Sequence, residues 1–358
     1  MKDTMRKGNI LILFGGESNE HEVSLRSAAA IIENLDTTRF QPILMGITRD
    51  GRWRLFEGSL EQLLSGEWEQ NSVPAIISPD REVHGIVIFG KKTETKYIHA
   101  IIPALHGQHC EDGAIQGLME LSGIPYVGSR VTSSAICFDK AYTHIVCEQA
   151  GIPMAKWVLA TSEETFDNIE KRINGSVGFP CFVKPANSGS SVGCARAESP
   201  DKMVSALKVA FNEDRRVIIE ELVTAREIEC AVLGNLSTYA PTTGEIISPD
   251  GFYDYESKYK VGVSKLLIPA DLPDSTNQQI KELAEKIYKI MDCRGLARVD
   301  FFVKEDGSVL FNEINTFPGF TETSMYPKMI TSSGISYKDL VTQLIELACD
   351  EKSRILNR

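Results

Sequence analysis

The pattern of apolar and polar positions shows its first regular feature at residues 9–14, a continuously apolar run that ends in a glycine pair. Such a run predicts a buried parallel strand. Residues 18–35 follow with apolar and small residues at helical spacing, and Ser18 or Asn19 is the expected N-cap. Further short apolar runs, separated by Gly/Pro turns, lie at 43–47, 85–89 and 99–103. Residues 1–138 are therefore predicted to form one α/β domain.

A second, smaller unit is predicted at residues 139–219. Asp139 is the expected cap of its first helix, and Thr161 with Glu164 is expected to form the capping box of the next. The apolar face of the first helix is predicted at Ala141, Ile145, Val146 and Ala150. The remaining predicted elements are a strand at 181–184, a helix at 200–211 and a strand at 217–220.

The loop at residues 184–193 of this unit is dense in glycine and serine, with Lys184 at its base. Its backbone N–H groups and hydroxyls can wrap the oxygens of a polyphosphate. The spacing is not the GxxxxGK[ST] pattern, however, and the tip of a flexible hairpin is an equally good interpretation from the loop alone.

The third predicted unit covers residues 220–358. A strand at 228–233 leads to a polar segment at 249–265, whose mixed aromatic and charged residues indicate an ordered loop over a site. An amphipathic helix is predicted with its apolar face at Ile280, Leu283, Ala284, Ile287 and Ile290. A closing helix is predicted at 337–349.

The clearest alternation of apolar and polar positions is in residues 296–303 and 309–315. A period of two predicts two strands, and the Glu-Asp-Gly turn at 305–307 predicts that they form a hairpin. Arg298 and Asp300 are two residues apart, so both side chains are expected on one face of the first strand.

In the second strand of the hairpin, the same rule predicts one face for Val309, Phe311, Glu313 and Asn315. Two carboxylates and an amide oxygen would then converge beside a guanidinium. Such hard oxygen ligands suit Mg²⁺ better than zinc, and Mg²⁺ usually binds together with substrate phosphates. A solvated hairpin with a surface Arg-Asp pair is the alternative, but the Pro-Gly loop that follows favours a site.

A cluster of potential metal ligands occurs in the loop from His106 to Asp112, which contains two histidines, one cysteine and two acids. The spacing matches no common zinc pattern. A substrate contact at the end of a strand is the better interpretation of His106.

The composition narrows the class of protein. The chain has 358 residues and a formal net charge of −11, which argues against a nucleic-acid or membrane partner. Its eight cysteines include no CxxC motif, no apolar run approaches a membrane span, and the start lacks the apolar core of a signal peptide. We therefore expect a cytoplasmic enzyme with reduced thiols.

Several short motifs follow one another in a specific order. They are GG at 15–16, EHEVS at 20–24, LHG and EDG within 105–113, DK at 139–140, FVKP at 182–185, GSSVG at 189–193, the polar segment at 252–259, RVD at 298–300, NEIN at 312–315 and PGFT at 318–321. In this order, over nearly the whole chain, they resemble the D-alanine–D-alanine ligases of the ATP-grasp superfamily. The resemblance implies a three-domain α/β (α+β) ATP-grasp fold with an N-terminal parallel α/β domain.

The resemblance also implies a reaction. Two D-alanine molecules would be joined with ATP through a D-alanyl phosphate, releasing ADP and phosphate, for peptidoglycan precursor synthesis. The same mechanism with D-serine, or less readily D-lactate, as acceptor is an alternative. A non-catalytic ATP-binding regulator is an alternative from another class. The segment at 252–259 would be a lid over the site.

Carried over position by position, the resemblance implies roles for particular residues. ATP would contact Lys140, Lys184, Ser190, Ser191, Glu220, Glu221, Leu222, Val223, Glu227, Lys258, Phe302, Asn312 and Glu313. The amino-acid substrates would contact Glu20, His106, Ser190, Tyr259, Arg298, Gly319, Ser324 and Met325. The catalytic group would be Glu20, Ser190, Tyr259, Arg298 and Gly319. Metal ions would bind Asp300, Glu313 and Asn315.

The cofactors implied are two Mg²⁺ per ATP, with Mn²⁺ as a substitute, and a monovalent cation is left open. A homodimer is the implied assembly. Glu221 stands where related enzymes often have lysine, and Glu322-Thr323 replaces a more usual small or His-containing pair. The second departure leaves the acceptor pocket as the least defined part of the site.

Overall fold

The computed structural model describes residues 7–247 and 265–356. The predicted lid at 252–259, with Lys258 and Tyr259, lies outside the described residues. None of the helices within the described ranges has both the length and the apolar character that crossing a membrane requires.

The first part of the chain forms a seven-stranded sheet with helices packed on it. Its elements are β1 (Gly8–Gly15), α1 (His21–Glu33), β2 (Phe40–Ile47), β3 (Trp53–Phe56), α2 (Leu60–Leu64), a 3₁₀ turn (Glu67–Glu69), β4 (Ser72–Ile77), β5 (Gly85–Phe89), β6 (Thr93–Tyr97), β7 (Ala100–Pro103), α3 (Ala114–Ser122) and α4 (Val131–Phe138). The strand order is β6-β5-β4-β3-β2-β1-β7.

This first sheet is parallel only where helices or long connections join its strands. β1 pairs in parallel with β2 and β7, as predicted for the run at 9–14. From β2 to β6 every pairing is antiparallel. The turn at Thr48–Arg52 shows why, since a connection that short can join only antiparallel strands.

The second sheet has four strands in the order β10-β9-β11-β8. The elements of this part are α5 (Lys140–Gln149), β8 (Trp157–Thr161), α6 (Phe166–Arg172), a π turn (Ile173–Val177), β9 (Cys181–Pro185), β10 (Ala195–Ala197), α7 (Pro200–Phe211) and β11 (Arg216–Glu221). Their apolar side chains form a separate core that includes Val183, Met203 and Val217.

The third sheet runs β15-β14-β12-β16-β17, with β13 paired to β12. The elements of this part are β12 (Arg226–Gly234), β13 (Thr238–Tyr239), β14 (Thr243–Ile247), β15 (Lys265–Leu267), α8 (Asp274–Ile290), β16 (Leu296–Val303), β17 (Val309–Asn315), α9 (Met325–Ser332) and α10 (Tyr337–Leu356). One core joins this part to the first sheet, with Phe14 of β1 and Leu344 of α10 in the same cluster. This shared core fixes the first and third sheets relative to each other.

Two predictions of how helices begin were wrong. α1 begins at His21 with Glu20 in the N-cap position, whereas the Ser18 hydroxyl donates to the carbonyl of His106 instead of capping the helix. Thr161 ends β8, and its N–H donates to the Glu164 carboxylate within a turn, so the expected capping box does not begin α6.

The predicted inward face of α5 is correct at Ala141, which is buried, and at Val146 and Ala150, which pack against a core, but it is wrong at Ile145. Asp139 caps the helix as expected, accepting from the N–H of Tyr142 at 3.0 Å. Ile145 is 45% exposed, whereas Thr143 and His144 are buried. Both polar side chains can be buried because each makes a hydrogen bond in the interior.

Candidate active site

A cavity of about 630 Å³ lies where the three sheets meet. Every predicted site residue within the described ranges lines it, from Glu20 on the first sheet's side to Met325 beside the third. The predicted residues Lys258 and Tyr259 lie outside the described residues. Residues far apart in sequence are therefore brought to one cavity, as the resemblance predicted.

The floor of the cavity is the hairpin of β16 and β17 with its neighbour β12. On β16, Val299 and Phe301 face the core under α8, so Arg298 and Asp300 point to the opposite face. The Arg298 guanidinium binds the Asp300 carboxylate through two hydrogen bonds of 2.8 and 2.6 Å. Its Nε atom also lies 3.2 Å from Glu229 Oε2 on β12. We call Arg298, Asp300 and Glu229 the Arg298 cluster.

A β-bulge in β17 changes which residues face the cavity. Asp300 pairs with Glu313, but Phe301 pairs with Phe311, so Asn312 is the extra residue. Phe311 and Val309 therefore pack in the core. The prediction that they share a face with Glu313 was wrong, because a bulge shifts the alternation by one residue.

A second group of charges lies on the central sheet's side of the cavity. Lys184 Nζ lies 2.6 Å from Glu220 Oε2 and donates to Asn312 Oδ1 at 3.2 Å. His144 Nε2 lies 2.7 Å from Glu220 Oε1, and its Nδ1 lies 2.7 Å from the Lys140 carbonyl oxygen. The His144 ring therefore has one oxygen partner at each of its two nitrogens. We call Lys184, Glu220 and His144 the Lys184 cluster.

The charges in both clusters stabilise one another against burial. Burial opposes the charge on Glu220, but Lys184 and His144 outweigh it and hold the pKa of Glu220 well below its usual range. Burial also opposes the charge on Lys184, and the Glu220 carboxylate outweighs it and raises the pKa of Lys184. In the same way, neighbouring carboxylates overcome burial and raise the pKa of Arg298. Glu220, Lys184 and Arg298 are therefore ionised near neutral pH.

The glycine- and serine-rich loop forms one wall of the cavity. Ser190 and Ser191 have φ angles of 50° and 59°, in a region that residues other than glycine adopt uncommonly. The Ser190 hydroxyl donates to Glu20 Oε1 at 2.5 Å, which ties the loop to the start of α1. Lys140 Nζ donates to the Ser188 carbonyl at 2.6 Å. These contacts make the loop an ordered wall and not a free hairpin tip.

His106 lies on the wall formed by the first sheet. Its Nε2 is 2.9 Å from the Ser27 hydroxyl, and its Nδ1 is 3.5 Å from Glu111 Oε1. Burial opposes the charge on His106, but Glu111 outweighs it and raises the pKa of His106. Burial raises the pKa of the nearby Cys110 thiol, which disfavours the thiolate that zinc needs. The geometry thus favours the substrate-contact interpretation of this loop.

The far end of the cavity is formed by the loop before α9. A Cβ on Gly319 would lie 3.0 Å from Ser324 Oγ, so a larger residue there would crowd the loop. The Ser324 hydroxyl accepts from the N–H of Thr321 at 3.0 Å. Met325 is 5% exposed, and its sulfur would meet a Cβ on Gly244 at 2.6 Å. This end of the cavity is therefore closely packed around Met325.

The predicted metal ligands Asp300, Glu313 and Asn315 occupy paired positions on β16 and β17. Arg298 is opposite Asn315, and Asp300 is opposite Glu313. Among the described residues no group of three or more His, Cys, Asp or Glu has a metal-binding arrangement. The predicted ligand set therefore needs the Asn315 amide oxygen as its third ligand. Its oxygen also accepts from the N–H of Phe317 at 2.9 Å. The donors are all hard oxygens and fit Mg²⁺, provided that Asp300 is released from Arg298.

Two residues of the site were missed by sequence reasoning. Glu229 is two positions from Glu227 on β12, so the same alternation that exposed Asp300 could have identified it. His144 carries no local signal, because its partner Glu220 is 76 residues away in sequence.

Three antiparallel strands with oxygen ligands, facing a lysine-bearing loop across a deep cavity, are the arrangement of an ATP-grasp enzyme. Two family models agree with this class and identify a narrower family within it. The model described as "D-ala D-ala ligase N-terminus" matches residues 9–129, and "D-ala D-ala ligase C-terminus" matches residues 146–346. The chain belongs to the D-alanine–D-alanine ligase family, as its motifs predicted.

Individual relatives cover almost the whole chain. A D-alanine–D-alanine ligase of Acetivibrio thermocellus is 46% identical over 360 residues, covering 96% of each chain. One from Caldicellulosiruptor bescii is 47% identical over 356 residues, covering 98% of this chain and 97% of the relative.

Solved structures are also similar over nearly the full length. The VanG D-Ala:D-Ser ligase from Enterococcus faecalis has a TM-score of 0.89 at 37% identity, covering 96% of this chain and 100% of that one. The D-alanine–D-alanine ligase from Coxiella burnetii has a TM-score of 0.87 at 35% identity, and the match covers 98% of this chain and 96% of that one. The predicted ATP-grasp fold is confirmed.

Proposed function

We propose that this enzyme joins two D-alanine molecules to D-alanyl-D-alanine in the cytoplasm, with ATP converted to ADP and phosphate. The dipeptide would serve peptidoglycan precursor synthesis. The observation that carries the proposal is the division of charge in the cavity. Two lysines, Lys140 and Lys184, accompany the Glu220 carboxylate on one side, whereas the Arg298 cluster holds two carboxylates for one cation on the other.

That division suits the chemistry of amide bond formation. A carboxylate is a poor electrophile, so one substrate carboxylate must first become an acyl phosphate. Catalysis of phosphoryl transfer is mainly a matter of positioning and electrostatics. Lys184, and Lys140 at the base of α5, lie on the side where the triphosphate would need positive charge.

The carboxylate-rich side supplies the place for metal ions. Asp300, Glu313 and Asn315 would hold two Mg²⁺, for which Mn²⁺ can substitute. When bound, the ions neutralise charge that develops on the phosphate oxygens.

Other residues of the cavity would orient the amino acids. The Glu20 carboxylate, which accepts a hydrogen bond from Ser190, would bind the ammonium group of the first D-alanine. Tyr259, which lies outside the described residues, would act together with Glu20 and Ser190. Arg298 and the Gly319 N–H would stabilise the oxyanion when the second amine attacks; losing one such donor typically costs roughly 10²–10³ in rate. His106, Ser324 and Met325 would border the acceptor.

Phosphate release that depends on added D-alanine tests this function directly. The purified chain with Mg²⁺ and ATP should release phosphate only when D-alanine is present, with dipeptide formed in equal amount. A non-catalytic ATP-binding regulator would bind ATP but release no phosphate under either condition. Omitting the metal should stop release in the ligase, and gel filtration in the same study would test the proposed homodimer.

A second acceptor is supported by the structural likeness to the D-Ala:D-Ser ligase of Enterococcus faecalis. The same reaction with D-serine would need a polar group for the serine hydroxyl. Met325 offers only a weakly accepting thioether at this end of the cavity, so D-alanine is the proposed acceptor.

A further inference from the structure

Glu229 is a buried carboxylate to which neither the family resemblance nor the proposed chemistry gave a role. It is 4% exposed and lies directly opposite Asp300 in the pairing of β12 with β16. Its Oε2 atom is 3.2 Å from Arg298 Nε, the same nitrogen that donates to Asp300 Oδ1 at 2.8 Å. One guanidinium therefore has two competing carboxylate partners.

The competition matters because Asp300 has two uses. In this structure both of its oxygens are occupied by Arg298, at 2.8 and 2.6 Å. A carboxylate held in this bidentate way is poorly placed to bind a cation with the same oxygens. If Asp300 turns to a metal ion, the largely buried Arg298 side chain loses its closest partner. A buried charge without a partner is strongly unfavourable.

We propose that Glu229 is a positioning residue that holds Arg298 in place when Asp300 binds metal. The proposal rests on the proposed function, which gives Asp300 to the metal and Arg298 to the oxyanion. Glu229 suits the role because the β12–β16 pairing fixes it beside the guanidinium. Glu227, the other carboxylate on this face of β12, is opposite Phe302 and does not substitute for it.

The test compares Glu229→Gln with a matched control, Glu245→Gln. Glu245 is a buried carboxylate on β14 of the same sheet and binds Arg226 through hydrogen bonds of 2.7 and 2.6 Å, but it does not line the cavity. The probe is Mn²⁺ with a non-hydrolysable ATP analogue, and its affinity is measured by calorimetry without D-alanine. We expect Glu229→Gln to weaken Mn²⁺ binding about tenfold, because the largely buried guanidinium loses a carboxylate that opposes its charge, and Glu245→Gln to leave it unchanged.

A plain loss of negative charge near the metal would also weaken binding, and two further variants separate the two causes. Glu229→Asp keeps the charge but withdraws the carboxylate from Arg298, so we expect it to weaken binding as well. In an Arg298→Met background, where Asp300 is already released, Glu229→Gln should have no further effect.

The proposal would be overturned if Mn²⁺ affinity were unchanged in Glu229→Gln or in Glu229→Asp. It would also be overturned if Glu229→Gln weakened Mn²⁺ binding as much in the Arg298→Met background as in the unaltered chain. If Arg298→Met does not fold, the comparison of Glu229→Asp with Glu229→Gln still decides. These measurements are independent of D-alanine-dependent phosphate release in the unaltered enzyme. Failure of the Glu229 role and failure of the proposed function are therefore distinguishable.

Discussion

The two charge clusters of the cavity are built in opposite ways. The Arg298 cluster comes from adjacent strands of one sheet, and its carboxylates outnumber its cation. The Lys184 cluster is assembled from β9, β11 and α5, and Lys140 of α5 adds a second lysine on the same side of the cavity. Each side is thus held together by internal ion pairs, with two lysines on one side and two carboxylates around Arg298 on the other. The cavity is therefore organised for a ligand that carries both signs of charge, such as a metal triphosphate.

The largest effect is expected when the negative charge of the carboxylate-rich side is removed. Asp300→Asn combined with Glu313→Gln should lower turnover by at least about 10³, since several kcal/mol of metal-based stabilisation is lost. The measurement is D-alanine-dependent phosphate release. Asp306→Asn, an exposed carboxylate in the turn of the same hairpin, is the control and should leave turnover unchanged. Near-normal turnover in the double variant would show that this hairpin is not the active centre.

Disrupting the Lys184 cluster should lower the free energy of unfolding. Glu220→Gln leaves Lys184 and His144 buried without their carboxylate, which should cost roughly 3–5 kcal/mol at pH 7. Urea unfolding measures the loss, and Glu221→Gln, which is less buried on the same strand, should change little.

The pH dependence of this loss follows from the lowered pKa of Glu220. A carboxylate with a lowered pKa in the folded state stabilises the protein fully above its ordinary value of 4.5, and this stability is lost as the pH falls through the folded pKa. The gap in unfolding free energy between the unaltered chain and Glu220→Gln should therefore narrow from pH 6 towards pH 3. A gap that stays constant over this range would contradict the assigned ion pair.

A smaller effect is expected where a single hydroxyl links two regions of the cavity. Ser190→Ala removes the hydrogen bond to Glu20 and should raise the KM for D-alanine about ten- to hundredfold, the value of a hydrogen bond to a charged group. Ser190→Gly loses the same hydroxyl but relieves the positive φ. Equal increases in both variants would assign the effect to the hydroxyl, whereas normal KM values would remove Ser190 from the substrate site.

The smallest effect is expected at the acceptor end of the cavity, beside Met325 and outside both clusters. In a mixture of D-alanine and D-serine at equal concentration, D-alanine should be preferred as acceptor by about tenfold, because the serine hydroxyl lacks a good partner beside Met325. Separating the dipeptides by mass measures the ratio. A mixture dominated by D-alanyl-D-serine would overturn the acceptor assignment and leave the ligase class intact.

The sequence predicted those parts of the fold that depend on neighbouring residues. The apolar run at 9–14 and the β16–β17 hairpin were predicted correctly, because alternation and turn composition are set by local backbone geometry. The same reasoning failed at Asn312, because the bulge there reverses the alternation of the strand. It also failed at Ile145, which is exposed while the polar His144 beside it is buried.

The order of the motifs was sufficient to identify the family, and alternation alone placed Arg298 and Asp300 on one face of their strand. Which distant groups meet depended on how the three sheets pack. Ser190 contacts Glu20 across 170 residues, and His144 completes the Lys184 cluster from a helix whose pattern indicated an apolar face. The physical reason is that periodicity is written into adjacent residues, whereas the partner of a buried charge is set by how sheets and helices pack.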